Sequence, residues 1–228
     1  MLSFLKKLFW ILFIGHFAYA LALKWINPPF TLTQLSSLFS GEGLSRDYVD
    51  DDQMSAHIKL AVIASEDQLF ADHNGFDWKS IEKAMEYNKR KPNRVRGAST
   101  ISQQVAKNVF LWQGRSWLRK GLEVYFTFLI ELLWGKKRIL EMYLNVSEMG
   151  KGVFGVEAAA KRYFNKSAAQ LSRSESAMIA ACLPNPKKYT VKPLSLYVSR
   201  RYPHILRQMN ALSGDPEIEA LLNRKKKR

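Results

Sequence analysis

Two glutamates and the segment between them carry the chemistry this chain could do. Glu66 comes first, followed directly by Asp67, and Glu123 comes well downstream behind Arg119-Lys120-Gly121-Leu122. Between them lies Gly97-Ala98-Ser99-Thr100-Ile101-Ser102-Gln103-Gln104-Val105-Ala106-Lys107-Asn108, a polar helix start rich in hydroxyls, amides and one lysine. Taking a proton from a hydroxyl, such as a sugar's, while expelling a phosphate needs one carboxylate as base. It also needs a cationic, amide-rich cradle for the leaving group.

Each segment also has a plainer reading. Glu66 falls at the end of an apolar helix, just before Phe70 to Asp77. A carboxylate at such an edge is desolvated on one side, which raises its pKa toward that of a useful base. Asp67 projects about 100° away around the helix, so the two carboxylates differ in role. Taken alone, the pair fits an ordinary surface helix end better. Gln103, Gln104 and Lys107 share a polar face, and the helix start offers free N–H groups and a positive dipole end to an anion. Gly97 would let the backbone approach closely. An ordinary amphipathic helix has the same spacing. Glu123 sits early on an apolar helix, where a carboxylate is either ion-paired or functional. Glu131, about two turns on, reads as an ordinary ion-pair partner.

Other patterns fall away on context. Gly150-Lys151-Gly152-Val153-Phe154-Gly155 matches a dinucleotide fingerprint, with Glu175 downstream. That fingerprint should follow a strand in a βαβ unit, whereas here a segment of helical period precedes it. The glycines read instead as a tight loop against the cleft. His57, His73 and His204 have no metal-ligand spacing, so no protein-held metal is expected. Ser99 lacks a His/Asp partner for nucleophilic catalysis.

The elements that position these groups are almost all helical in period, and the expected fold is mainly α. Ser55 caps a helix to about Glu66, and Asp77 caps one from Trp78 to about Asn88. Thr100 with Gln103 forms a capping box before a helix to about Leu111. Ser116 starts a helix apolar on nearly every side, which is either central in a core or in touch with lipid. Further helices follow at Lys136 to Val146 and Val156 to Phe164. A last one, capped by Ser172 and Glu175, ends near Cys182, where Pro184 and Pro186 stop it.

The 228 residues are 47% hydrophobic and suit one globular domain. With Cys182 the sole cysteine, no intrachain disulfide forms. The net charge of +15 is concentrated in Lys89 to Arg96 and in Arg224 to Arg228. Such a balance suits nucleic acid, anionic lipid or a phosphorylated substrate, or a merely solvated tail. Leu8 to Leu23 is apolar apart from His16, and counting to Ile26 reaches spanning length. Lys6 and Lys7 argue for a cytoplasmic start and an exported remainder. A cleaved signal peptide at Ala18-Tyr19-Ala20 is the competing reading. The expected division is a cytoplasmic stub at 1–7, an anchor at 8–26, a linker at 27–52, the main domain at 53–212 and a polar, basic tail at 213–228.

Together these segments resemble glycosyltransferase family 51, the peptidoglycan transglycosylases. Glu66-Asp67-Gln68-Leu69-Phe70 with His73, Gly75 and Asp77 is similar to the family's first motif, and 97–108 to its second. Ala98 and Ser102 stand where the family more often has Gly and Thr. Arg119 to Glu123 resembles the third motif. Lys137 to Asn145, Gly150 to Gly155 and Ala158 to Phe164 resemble the fourth. No penicillin-binding domain follows in the sequence, so the expected form is a monofunctional member in a Gram-negative inner membrane. The resemblance implies a lysozyme-like helical head and a smaller hydrophobic jaw. It implies lipid II as acceptor and a polyprenyl-pyrophosphate-linked glycan as donor, joined with inversion. Glu66 would be the base on the acceptor hydroxyl, and Glu123 would help the pyrophosphate leave, directly or through water or metal. Ser99, Thr100, Gln103, Gln104, Lys107, Arg115, Arg119 and Lys120 would hold the substrate. A divalent cation, Mg2+ or Mn2+, would ride on the pyrophosphate, and no organic cofactor is implied. The membrane and proteins of cell division or wall synthesis are the implied partners. Two competing readings are a lysozyme-like glycan hydrolase, which needs no Gln-Gln-Lys cradle, and a tethered nucleic-acid-binding module, which the exported topology opposes.

Overall fold

The computed structural model describes residues 2–92, 97–114 and 116–222. Within them the chain is mainly helical, as the periodicity predicts. The helices are α1 (Leu2–Ala22), α2 (Leu32–Phe39), α3 (Ala56–Glu66), α4 (Trp78–Arg90), α5 (Ile101–Phe110), α6 (Trp117–Leu133), α7 (Lys136–Val146), α8 (Val156–Phe164), α9 (Arg173–Cys182), α10 (Leu196–Leu212) and α11 (Pro216–Leu222). The expected caps start the expected helices. Ser55, Asp77 and Ser116 accept from N–H groups of α3, α4 and α6, and complete capping boxes start α5 and α9.

Helix α3 is the centre of the core. Every residue from Ile58 to Ala64 is buried, including Lys59, whose ammonium pairs with Asp51 at 2.5 Å. Helices α9, α10 and α11 pack against it, while α5 lies between α6 and α7. Helix α6, expected to be either central or lipid-facing, is peripheral. Its inner face buries Glu123, Thr127, Leu129 and Ile130, and its outer face exposes Leu118, Val124, Phe128 and Leu132.

The apolar amino-terminal helix begins earlier than the expected anchor. Ser3–Ala22 is long and apolar enough to cross a membrane, with a mean hydropathy of 1.4, and almost none of it is buried in the protein. Its last turn docks on α6 and α7. Trp134 Nε1 donates to the carbonyl of Ala20 at 2.7 Å. The Arg138 guanidinium donates to the carbonyls of Leu23 and Ile26 and to Asn27 Oδ1. These bonds satisfy carbonyls that a helix end leaves without partners.

Three segments depart from expectation. Residues 27–52, read as a linker, contain α2, which has its own capping box at Thr31, and a length of chain gripped by the domain. Asn145 bonds both the N–H and the C=O of Val49, at 3.0 and 2.9 Å. The glycine-rich stretch, expected as a tight loop, is the turn of a hairpin of β2 (Glu148–Gly150) and β3 (Val153–Phe154), joined in parallel by β1 (Ser45–Arg46). Its glycines serve packing, since a Cβ on Gly155 would meet the Asn145 carbonyl oxygen at 2.6 Å with φ at +85°. Lastly, α11 lies inside the expected polar tail and buries Ile218, Leu221 and Leu222, because its apolar residues recur at helical spacing against α3. The basic residues Arg94, Arg96 and Arg224 to Arg228 lie outside the described residues.

Candidate active site

The site is assembled around α5, with Glu66 contributed by α3 on one side and Glu123 by α6 on the other. Glu66 ends α3, and its Oε2 accepts from Gln104 Nε2 at 2.9 Å. Gln104 Oε1 accepts in turn from the hydroxyl of Tyr143 on α7, at 3.3 Å. Burial pushes the Glu66 carboxyl above its ordinary pKa. The Gln104 bond and the charges of Arg201 and Lys107 pull it back, and Asp67 pushes it further up. That is the electrostatic setting of a carboxylate ready to take a proton.

Asp67 does different work, as its angle on the helix predicts. It is buried, and its carboxylate accepts from His73 Nε2 at 3.0 and 3.1 Å and from the Ile101 N–H at 2.9 Å. His73 Nδ1 accepts from the Gly75 N–H, which fixes the ring proton on Nε2. The Thr100 hydroxyl donates to the Gly75 carbonyl at 2.7 Å. Gly75 itself has φ at +88°, and a Cβ there would stand 2.8 Å from Thr127. The loop after Glu66 is therefore stapled to the start of α5.

This staple corrects one expectation. The start of α5 is not an open anion site, because Asp67 takes the Ile101 N–H and the Thr100 hydroxyl takes that of Gln103. Thr100 and Gln103 are buried, and the side-chain oxygen of each accepts from the backbone N–H of the other. Ser99 is exposed beside them. The residues of α5 that face open space come one turn later.

Lys107 is the main one. It is half-buried, and among the described residues it has no hydrogen-bond or ion-pair partner. Burial lowers its pKa, Glu123 raises it, Arg119 and Lys120 lower it, and Glu66 raises it, so it senses both carboxylates. Glu123, 3% exposed, is clasped by Arg119 Nη1 and Lys120 Nζ, each at 2.5 Å. Arg119 is buried with it, whereas Lys120 remains partly open to solvent. Glu131 bonds Ser102 and Lys136, the ordinary structural partner it was expected to be. Arg115 lies outside the described residues.

A cavity of about 440 Å3 opens against this face. Gln104, Lys107 and Asn108 form one wall, with α2 and the 184–187 turn opposite. Gln113 ties the two sides through a 2.8 Å bond to Thr33. The buried Ser147 hydroxyl lines the cavity without a hydrogen-bond partner. The Glu42 and Lys187 side chains pair near its mouth. Sequence reasoning gives no role to Tyr143, Ser147, Arg201 or α2. Tyr143 stands within a quoted motif but shows no pattern of its own, and α10, which carries Arg201, was not anticipated as an element.

The donor set does not suit a protein-held metal. Both oxygens of Glu123 are engaged by cations, and among the described residues no three His, Cys, Asp or Glu side chains converge.

Comparison with known proteins gives a consistent picture. The family model described as Transglycosylase matches residues 33–210, which takes in α2. The biosynthetic peptidoglycan transglycosylase of Escherichia coli (strain K12 / DH10B) is 61% identical over 173 residues, covering 76% of this chain and 72% of that protein. The proteins of the same name from Shigella boydii serotype 4 (strain Sb227) and Shigella sonnei (strain Ss046) match at the same identity and coverage.

Proposed function

The chain belongs to the transglycosylase family, and from that membership we propose how its cleft works. It is a peptidoglycan glycosyltransferase that builds glycan strands. In our reading the acceptor is lipid II and the donor is a growing glycan on a polyprenyl pyrophosphate. Glu66 takes the proton of the acceptor GlcNAc 4-hydroxyl as that oxygen attacks the donor MurNAc anomeric carbon. The C–O bond to pyrophosphate breaks on the opposite face, so the configuration inverts without a covalent enzyme intermediate.

The leaving pyrophosphate goes to Lys107. The observation that carries this assignment is a half-buried ammonium with no partner among the described residues, set between two carboxylates on the wall of a cavity. Arg119 and Lys120 add charge beside it. Glu123 acts through them, as the anion that holds two cations in place rather than as a group that touches the substrate. Arg115, outside the described residues, is proposed for the same cradle on its position in the sequence. A divalent cation would be held by the pyrophosphate oxygens themselves.

Helix α1 anchors the chain in a membrane. The exposed apolar face of α6 lies next to it, joined by a 2.6 Å bond between His16 and Tyr125, and this face continues the lipid-contacting surface. Lys6 and Lys7 place the amino end in the cytoplasm and the cleft on the outer side of a bacterial inner membrane.

The test is incubation of the purified full chain with labelled lipid II, with and without penicillin. Polymer in both lanes is the expected result. Shortening of added glycan with no polymer formed would instead establish the hydrolase reading.

A further inference from the structure

Glu66 takes its hydrogen bond from an amide that is itself held. The two ends of a glutamine amide are alike in shape and opposite in polarity, so whatever faces one end decides what the other end offers. At Gln104 the far end is Oε1, and the Tyr143 hydroxyl donates to it. Tyr143 lines the cavity but is only 1% exposed, and its hydroxyl finds an acceptor within the protein. The Ser147 hydroxyl, at the C-cap of α7, lies close enough to the phenol to lower its pKa, but among the described residues the acceptor in hydrogen-bond geometry is Gln104 Oε1.

We infer that Tyr143 is a positioning residue for the transfer reaction: it fixes the Gln104 amide with its NH2 toward Glu66. The opposite orientation would set a carbonyl oxygen against the carboxylate and disfavour the ionised base. The inference rests on the reading of Glu66 as that base.

The surroundings leave this task to the amide. The groups facing Glu66 are Asp67 on α3, Lys107 on α5, Tyr143 on α7, Cys182 on α9 and Arg201 on α10. Lys107 and Arg201 favour the carboxylate from a distance, and Asp67 opposes it. Burial raises the Tyr143 phenol well above its usual range and pushes the Cys182 thiol up to about 12, so both are neutral at working pH. Gln104 is the group that touches Glu66 with a directed donor. Removing the tyrosine oxygen leaves every charge in place and frees only the amide.

The experiment is the pH profile of kcat/KM on lipid II for full-length Tyr143→Phe. The expected result is about a tenfold loss on the acid side, recovery toward wild type on the alkaline side, and a KM within about twofold. Gln104→Ala should move the acid limb in the same direction, and adding Tyr143→Phe to it should change nothing further. A uniform loss at all pH values would reduce Tyr143 to packing and overturn the inference. So would an unmoved acid limb in Gln104→Ala, or a second tenfold loss in the double variant. The base reading is tested apart from this. Activity surviving in Glu66→Gln sinks that reading, whereas an inactive Glu66→Gln beside a flat Tyr143→Phe profile sinks the Tyr143 inference alone.

Discussion

Glu66 and Glu123 are the same residue on two different helices, α3 and α6, and their neighbours differ in kind. Among the described residues Glu66 has one hydrogen-bond donor, the neutral Gln104 amide, and burial holds its pKa up. Glu123 is buried more fully but sits between an arginine and a lysine at ion-pair distance. A carboxylate held by an amide can accept a proton and remain in a satisfied site. A carboxylate clasped by two cations serves to hold those cations in place. In the proposed mechanism, proton transfer and charge stabilisation are separated by the choice of neighbours rather than of the acid itself.

The harshest test of that division is Glu66→Gln, expected to cost about 10²–10⁴ in turnover. A variant keeping more than about a tenth of wild-type activity would break the comparison at its first term. Stability should move the other way. Because the folded pKa of Glu66 is raised, its contribution to stability is full below the ordinary carboxylate range and is lost as pH climbs through the raised value. Rate should rise through the same window as the base ionises. Thermal melts across pH should therefore show Glu66→Gln gaining on wild type as pH rises there.

Lys107→Ala comes next, with about a 10²-fold loss of turnover and a stability change under about 0.5 kcal/mol. Normal polymerisation kinetics in this variant would remove the lysine from the leaving-group site. Lys107→Arg, which keeps the charge, should recover part of the rate.

Glu123→Gln sharpens the second term. Arg119 is buried with this carboxylate, and leaving it unpaired should cost about 3–5 kcal/mol of stability, read by denaturant unfolding. The contrast with Glu66→Gln is the point, since a stabilised Glu123→Gln would mean that the two carboxylates are burdened alike. Asp67→Asn is the smallest effect, about 1–3 kcal/mol, because one bond to Ile101 or His73 is lost from the staple while Glu66 and Glu123 remain. A turnover loss as deep as that of Glu66→Gln would give Asp67 a chemical role the geometry does not show.

Much of this was legible along the chain. Capping residues act on N–H groups two or three positions away, so Ser55, Asp77, Thr100, Ser116 and Ser172 announced their helices without help from the fold. The pairing of Glu131 is equally local, through Lys136. The expectation for the start of α5 failed for the opposite reason. An N-terminus is an anion site until some anion takes it, and the one that does, Asp67, comes from another helix. The small sheet was invisible because its strands are two or three residues long and β1 pairs with a partner about a hundred positions away.

Sequence alone determined helices α3 to α9, the apolar amino-terminal segment, the two glutamates and the order of the motifs, because each is written in residues that are neighbours in the chain. The tertiary structure decided what those groups are to one another. It made α3 rather than α6 the centre, gave Asp67 to the Ile101 backbone and Glu66 to the Gln104 amide, enclosed Glu123 between cations, left Lys107 unpaired among the described residues, and brought Tyr143 to Gln104. Burial and partnership set a side chain's charge and reach, and they depend on which surfaces meet when helices pack, a property that spacing along the chain does not contain.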